Sequence, residues 1–500
     1  MTVRSGPLAG RYPFVAALAI LALVPYLALS SSLSPLTPYI ERDLHMSSQT
    51  LSLGLGLGNA GYAVGTVLAV LFAQHLPQRL MLVIYSVVAV IGSVLFAAAQ
   101  DSAMFIAGHI LQGLSTSLLL IAAVPPLALG FGSEKLKHTA VILSVCIFGA
   151  VAAGPVFGGI QANAHGWRPL LWVAAGISAA VVALVVLTYE HTPPANRDAP
   201  KDPVAIGLAT AGPVAAFYGA SELTSHAFVS AVTLIPLFGG LVLIVALIVW
   251  ETRSRNPLLP LGPLLESTLP VSGVVIALCA AAASVSVSEL TLSLVTAQHG
   301  ALHAGLLFLP ELAGALIAAF ALGRVLETKY LQYLPMVGMA FLAAGIGVFL
   351  VKLPSSPALA LIGSGLTGLG LGGTVAPALF GSGFALPANN LQRVFAMIEL
   401  LRGVAAFMIA PIFVHFASTV GGLPAVGGTR AALWVSLAIV MGGSALALFL
   451  YLAGGARPHT PQMTVFLNGD GPAWPSPPLL ARLRVEHPHA PEPIQDPARV

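Results

Sequence analysis

Between residues 12 and 453 the polar residues are sparse and fall in short groups, and the apolar stretches between those groups are each about twenty residues long. A helix rises roughly 1.5 Å per residue, so about twenty residues cross a hydrocarbon core of about 30 Å. The pattern predicts spanning helices over roughly 13–34, 51–74, 80–99, 103–128, 138–163, 168–188, 203–223, 227–250, 269–296, 302–323, 331–351, 356–382, 391–417 and 429–453, fourteen in all. Short connections join most of them, as in helical hairpins. The longer stretch EHTPPANRDAPKD, from Glu190, reads as a polar, proline-bearing linker. Beyond Gly454 the apolar pattern stops. The tail is rich in proline and is expected to be disordered and outside the membrane.

Composition agrees with that class. Only 8% of residues are charged and 57% are hydrophobic, whereas a soluble domain carries roughly 25% charged residues. A soluble globule of this length would lack the polar residues to cover its surface. The net charge of +3 says little, but the placement of the cations says more. Sixteen Lys and Arg fall in one set of alternate loops, among them Arg79, Lys135, Lys137, Arg253, Arg324 and Arg393. Four fall in the other set: Arg42, Arg168, Lys352 and Arg430. Positively charged loops stay in the cytoplasm, so both termini are expected there. The first apolar segment reads as an uncleaved helix. Cys146 and Cys279 lie far apart in predicted spans, and no disulfide or metal spacing is present. No metal, cofactor or nucleic-acid site is expected.

The fifth span contains FGAVAAGPVFGG, residues 148–159. Glycine and proline weaken helices in water, but they are common in spanning helices, where small residues let backbones approach. Gly154, Pro155, Gly158 and Gly159 are read as a bent helix with a smooth face, suited to tight contact along a sliding boundary; ordinary helix packing explains the stretch equally well. The sequence from Gly363 to Gly368 fits G-x-G-x-x-G. It lies within a span with no acidic residue nearby, so it reads as helix packing and not as a dinucleotide loop.

Several stretches together resemble the major facilitator superfamily, and within it the fourteen-helix drug:proton antiporter family. Gly154-Pro155-x-x-Gly158-Gly159 is similar to the antiporter motif of the fifth helix. His165-Gly166-Trp167-Arg168 resembles the W-R step into the sixth. Tyr62, within Asn59 to Gln74, and Gln112-Gly113 resemble positions of the second and fourth helices. WETRSRNPLLPL, from Trp250, resembles the charged loop before the ninth. Gln298-x-Gly300, Ala304-Gly305-Leu306 and Leu309-Pro310 resemble the approach to the tenth, and Arg402-Gly403 an R-x-x-G region.

The resemblance covers residues 12–453 and implies an all-α polytopic membrane protein with two six-helix bundles around a central cavity, residues 13–188 and 269–453. Two extra helices, 203–250, would follow a cytoplasmic linker, 189–202, and precede a cytoplasmic loop, 251–268. Residues 1–12 and 454–500 would be cytoplasmic ends. The sequence also departs from the family. Gln74 and Pro77 stand where an Asp and a Gly are usual between the second and third helices. His109 stands where an intramembrane Arg is usual, and SSSLSPLTP, from Ser30, has no Asp. The usual gating ion pairs and proton path are therefore left open.

Ionisable groups inside a membrane are costly and mark function by default. Those within the predicted spans are His109, Glu289, Glu311, Glu399 and Arg402; Glu222, Glu251 and His226 fall at span ends and are expected at the interface. Glu289 is the leading proton-coupling candidate, against an acid that points to water near the membrane surface. Glu311, after Pro310, could titrate or cap backbone. Glu399 and Arg402 are three residues apart and share a helix face, so an ion pair is the favoured reading. Glu399 would couple protons only if Arg402 reached another helix. His109 could switch its charge or be a neutral, hydrogen-bonded core residue. Asn59, Tyr62, Gln112 and Arg402 are cavity-lining candidates, with helix-to-helix hydrogen bonding as the alternative.

The expected function is secondary transport by alternating access in the inner (plasma) membrane: efflux of small amphipathic or hydrophobic compounds in exchange for protons, by a monomer. The missing Asp and Arg positions keep open an uptake or metabolite-export facilitator with other coupling or none. A non-transporting receptor or scaffold would need an effector domain. No catalytic constellation is present, so an enzyme is not expected.

Overall fold

In the computed structural model, residues 8–189, 194, 201–255, 257–259, 261–352, 356–421 and 426–483 are described. Residues 1–7, most of the expected linker and the tail beyond residue 483 lie outside them. Fourteen helices are long and apolar enough to span a membrane. The first group holds α1 (Tyr12–Ser32), α2 (Ser48–His75), α3 (Gln78–Ala97), α4 (Ser102–Leu129), α5 (Gly132–Asn163) and α6 (Arg168–Thr188). Then come α7 (Pro203–Thr224) and α8 (Ala231–Arg253). The second group holds α9 (Thr268–His299), α10 (Ala301–Val325), α11 (Leu334–Lys352), α12 (Pro357–Phe384), α13 (Ala388–Val420) and α14 (Val426–Gly454). Among the described residues no β-strand forms; one isolated bridge joins Ser267 and Pro478.

Short polar residues set many of the helix starts. Ser47, Asp101, Asp202 and Ser230 each accept a backbone N–H from the first turn of α2, α4, α7 and α8, respectively. Asp202 also accepts from Trp250 Nε1 at 2.7 Å, which ties the start of α7 to the end of α8. With fourteen spans among the described residues, the start of α1 and the end of α14 lie on one face, here called the terminal face; the other is the far face.

Glycine and proline in the spans have specific partners. Pro155 has no N–H, so the carbonyl of Val151 loses its helical donor. Ser31 Oγ of α1 donates to that carbonyl at 2.6 Å, and Ser32 Oγ to the Gly154 carbonyl at 2.9 Å. A Cβ at Gly154 would lie 2.6 Å from the Ala28 carbonyl oxygen, so α1 and α5 meet backbone to backbone. Pro125 and Pro126 free two more carbonyls in α4. Gln392 Nε2 of α13 donates to Ile121 O at 3.2 Å, and Gln78 Nε2 of α3 to Ala122 O at 3.3 Å. Proline in a membrane helix thus opens acceptors that neighbouring side chains fill.

The expected disordered tail is corrected over its described part. Residues 463–468 form a short helix, and Phe466 and Trp474 are buried against Phe384 at the terminal end of α12. Thr268 and Trp474 donate backbone N–H groups to Pro477 O and Phe384 O. The helix Met463–Asn468 also packs against the start of α5. Two aromatic side chains in a proline-rich context supply enough apolar area to fold the segment onto the helix ends.

Candidate functional site

A cavity of about 640 Å³ lies between the two helix groups. It runs from Asn59 and His109 inside the helices to Glu41, Ser48 and Ser418 near the far face. Toward the terminal face the groups close on each other. A void of only about 30 Å³ remains there, lined by Leu120, Phe148, Phe380 and Phe395. Gln392 bridges to Ile121 at that level, and Lys137 of α5 meets Glu327, just beyond α10, at 2.6 Å.

Three acidic residues line the cavity: Glu41 near the far face, and Glu289 and Glu311 on the spanning helices α9 and α10. Glu289 Oε1 accepts from Ser34 Oγ at 2.9 Å, a contact between the second group and the far end of α1. Glu311 Oε1 accepts from Ser288 Oγ at 2.9 Å. Among the described residues neither is paired with Lys or Arg, and no Lys or Arg lines the cavity. Ser284 and Ser288, four residues apart and so on one side of α9, both face it, while Ser286 between them does not. The four-residue spacing of these serines, like the serine run from Ser30, marks the cavity side in the sequence.

Glu399 and Arg402 form the expected buried pair, with Arg402 Nη2 2.6 Å from Glu399 Oε2 and Nε donating to the same carboxylate at 3.1 Å. Tyr62 Oη donates to Glu399 Oε2 at 3.1 Å. This links α2 to α13, across the two groups. Tyr62, Glu399 and Arg402 do not line the large cavity; Glu399 borders the small void beneath it. A charge-assisted, bidentate contact of this kind fixes geometry.

Asn59 and His109 do line the cavity. Asn59 Oδ1 accepts from Tyr26 Oη at 3.0 Å. The His109 ring stacks between Tyr26 and Phe96, with centroids 5.6 and 4.9 Å away. Gln112 is a correction: its Nε2 donates to Ser93 Oγ at 3.1 Å, between α4 and α3, and it is not on the cavity. It lies three residues beyond His109 on α4, with its amide turned into the packing of the first group. Pro155 reaches the cavity wall, while Gly154 and Gly158 lie against α1 and Gly159 against α10.

Glu222 and Glu251, expected at the interface, are buried. Glu222 accepts from Gln49 Nε2 at 2.8 Å and pairs with His226 Nδ1 at 3.0 Å. Glu251 accepts from the backbone N–H of Leu259 at 3.1 Å. Position at a helix end places a residue along the membrane normal, not around the helix, and neighbouring chain covers both.

The sequence matches the profile of the Major Facilitator Superfamily over residues 18–408. The chain belongs to this superfamily. It is a multi-pass membrane transporter and not an enzyme. It is 27% identical over 435 residues to an uncharacterized MFS-type transporter, YubD, of Bacillus subtilis, covering 81% of this chain and 80% of that protein. It is 25% identical to the drug efflux pump JefA of Mycobacterium tuberculosis, over 75% of this chain and 77% of the pump. Its fold is similar to that of the human organic anion transporter MFSD10 (TETRAN), with a TM-score of 0.59 and 15% identity over 87% of this chain and 99% of that one.

Proposed function

We propose that this superfamily transporter exports small organic compounds in exchange for protons, and that Glu289 and Glu311 carry the exchange. The observation that carries the reading is their shared position: two carboxyls on spanning helices in one cavity, each held by a serine hydroxyl, with no Lys or Arg on the described wall. A carboxyl in low-dielectric surroundings favours its neutral form, and a cation beside it favours the charged form. Loss of a proton would then prepare the site for a cationic solute, and rebinding of the proton would expel it. The remaining wall is largely apolar, with Leu51, Leu55, Phe217 and Phe407. This combination suits a solute with an apolar body and a cationic or protonatable amine.

The terminal face would be cytoplasmic, given its excess of Lys and Arg. The cavity then faces outward, in the state from which a bound solute leaves. The relationship to a drug efflux pump supports the direction. The pairing of Glu399 with Arg402 argues against this role for it, and His109 lies deep in the cavity as a stacked ring.

The test uses everted vesicles with an imposed acid-inside gradient followed by a pH dye. Addition of tetraphenylphosphonium or ethidium should collapse part of the gradient in wild type and not in the Glu289→Gln/Glu311→Gln variant. No response of folded wild-type protein to a broad panel of organic cations would defeat the reading.

A further inference from the structure

The two flanks of the cavity are built differently. On one flank α5 and α10 touch directly. A Cβ at Gly159 would lie 2.6 Å from Ala301 O, and a Cβ at Gly305 would lie 2.6 Å from Pro155 O. Glycine on both helices leaves no space between them for a third element. On the other flank α2 and α13 are pinned through Tyr62 and Glu399 at depth. Toward the far face α7 lies between them. A Cβ at Gly56 of α2 would sit 3.3 Å from Phe217 O, Gln49 of α2 bonds Glu222, and His415 Nδ1 of α13 bonds Leu223 O at 2.9 Å.

We propose that α7 is a structural wall of the solute cavity and that Phe217 is a specificity-determining residue for it. The second half of this statement rests on the function proposed above; the first does not. Phe217, Ala220, Ser221, Leu223 and Thr224 all border the cavity, Thr224 exposed and the other four buried in its wall, although α7 belongs to neither six-helix group. Phe217 and Phe407 are the phenylalanines on the described wall, one from the extra pair and one from α13. An apolar solute body held by Phe407 is therefore met by a helix outside the two bundles. The companion helix α8 has the opposite character. Its Ile235 is 71% exposed and its Val242 65% exposed, which is a lipid-facing surface. The pair thus divides the work: α8 faces the membrane and α7 faces the solute. Glu222, held by Gln49 and His226, fixes the far end of α7 against α2.

Thiol labelling tests the wall directly. In a background with Cys146 and Cys279 replaced by Ser, Thr224→Cys and Val242→Cys are compared in intact cells with a membrane-impermeant methanethiosulfonate reagent. Each variant is first shown to be monodisperse in detergent. Thr224→Cys, at the exposed end of the α7 wall, should label readily and Val242→Cys should not. Equal inertness of the two would overturn the wall.

Specificity is tested by equilibrium binding of radiolabelled tetraphenylphosphonium to purified protein. Phe217→Ala should weaken binding about tenfold, which corresponds to about 1.4 kcal/mol, and Phe217→Tyr should retain most of it. Unchanged affinity in Phe217→Ala would overturn the role of Phe217. Labelling of Thr224→Cys in a protein that binds no organic cation at all would uphold the wall while defeating both Phe217 specificity and the solute class proposed above.

Discussion

Gln392 Nε2 donates to the Ile121 carbonyl at 3.2 Å, and that carbonyl is free because Pro125, four residues on, has no N–H. The bond joins α13 to α4, one helix from each six-helix group, on the side where the cavity is closed. A hydrogen bond that must break for the terminal face to open is a latch. Its strength depends on how badly the buried carbonyl needs a donor.

Replacing Gln392 by Ala leaves Ile121 O unpaired in a buried setting, at a cost of about 1–3 kcal/mol to the closed state. We expect faster labelling of a cysteine placed at Ala376, beside the small void, in Gln392→Ala than in wild type. Pro125→Ala restores an N–H to α4 and satisfies the carbonyl internally. The double variant Pro125→Ala/Gln392→Ala should then lose much less than the sum of the single changes. Additive losses would show that the proline and the glutamine are unconnected.

The same logic holds for α1 and α5. Ser31→Ala removes the donor to Val151 O and should destabilise the protein by about 1–3 kcal/mol, read as a lower detergent unfolding temperature. Pro155→Ala should rescue part of the loss. A serine variant as stable as wild type would mean that the freed carbonyl finds another partner.

Glu399→Gln leaves Arg402 buried without its counter-charge, and breaking such a pair costs about 3–5 kcal/mol. The expected result is strong destabilisation. Joint replacement of both residues by Met should be milder than either single change. If Glu399→Gln were stable and merely lost proton exchange, the pair would be part of the coupling path.

Trp474→Ala should release the tail from Phe384. Loss of a buried aromatic side chain costs about 3–5 kcal/mol where it is well packed. Limited proteolysis of the purified protein should cut between residues 456 and 483 in the variant and spare wild type. An unchanged digestion pattern would show that Trp474 does not hold the tail.

Much of the fold was legible because the membrane makes it so. Spans of about twenty apolar residues, cations in alternate loops and the three-residue spacing of Glu399 and Arg402 are local patterns that read directly into helices and a pair. What depended on rotation about a helix axis was not legible. Gln112 and His109 lie three residues apart on α4, yet one packs against Ser93 and the other reaches the cavity. Glu222 reads as a helix-end acid, and only its neighbours Gln49 and His226 show that it is buried. The tail reads as disordered from its prolines, because composition does not reveal that Phe466 and Trp474 find Phe384. The solute-facing role of α7 has no local signature at all; it follows from where α2 and α13 leave space.

The central claim is that solute and proton compete for Glu289 and Glu311. It is tested most directly by adding tetraphenylphosphonium to purified protein in weakly buffered detergent solution and measuring proton release. Wild type should release protons in proportion to the solute bound, and Glu289→Gln/Glu311→Gln should release none. Binding of tetraphenylphosphonium by wild type with no proton release at any pH from about 5 to 9 would contradict the claim.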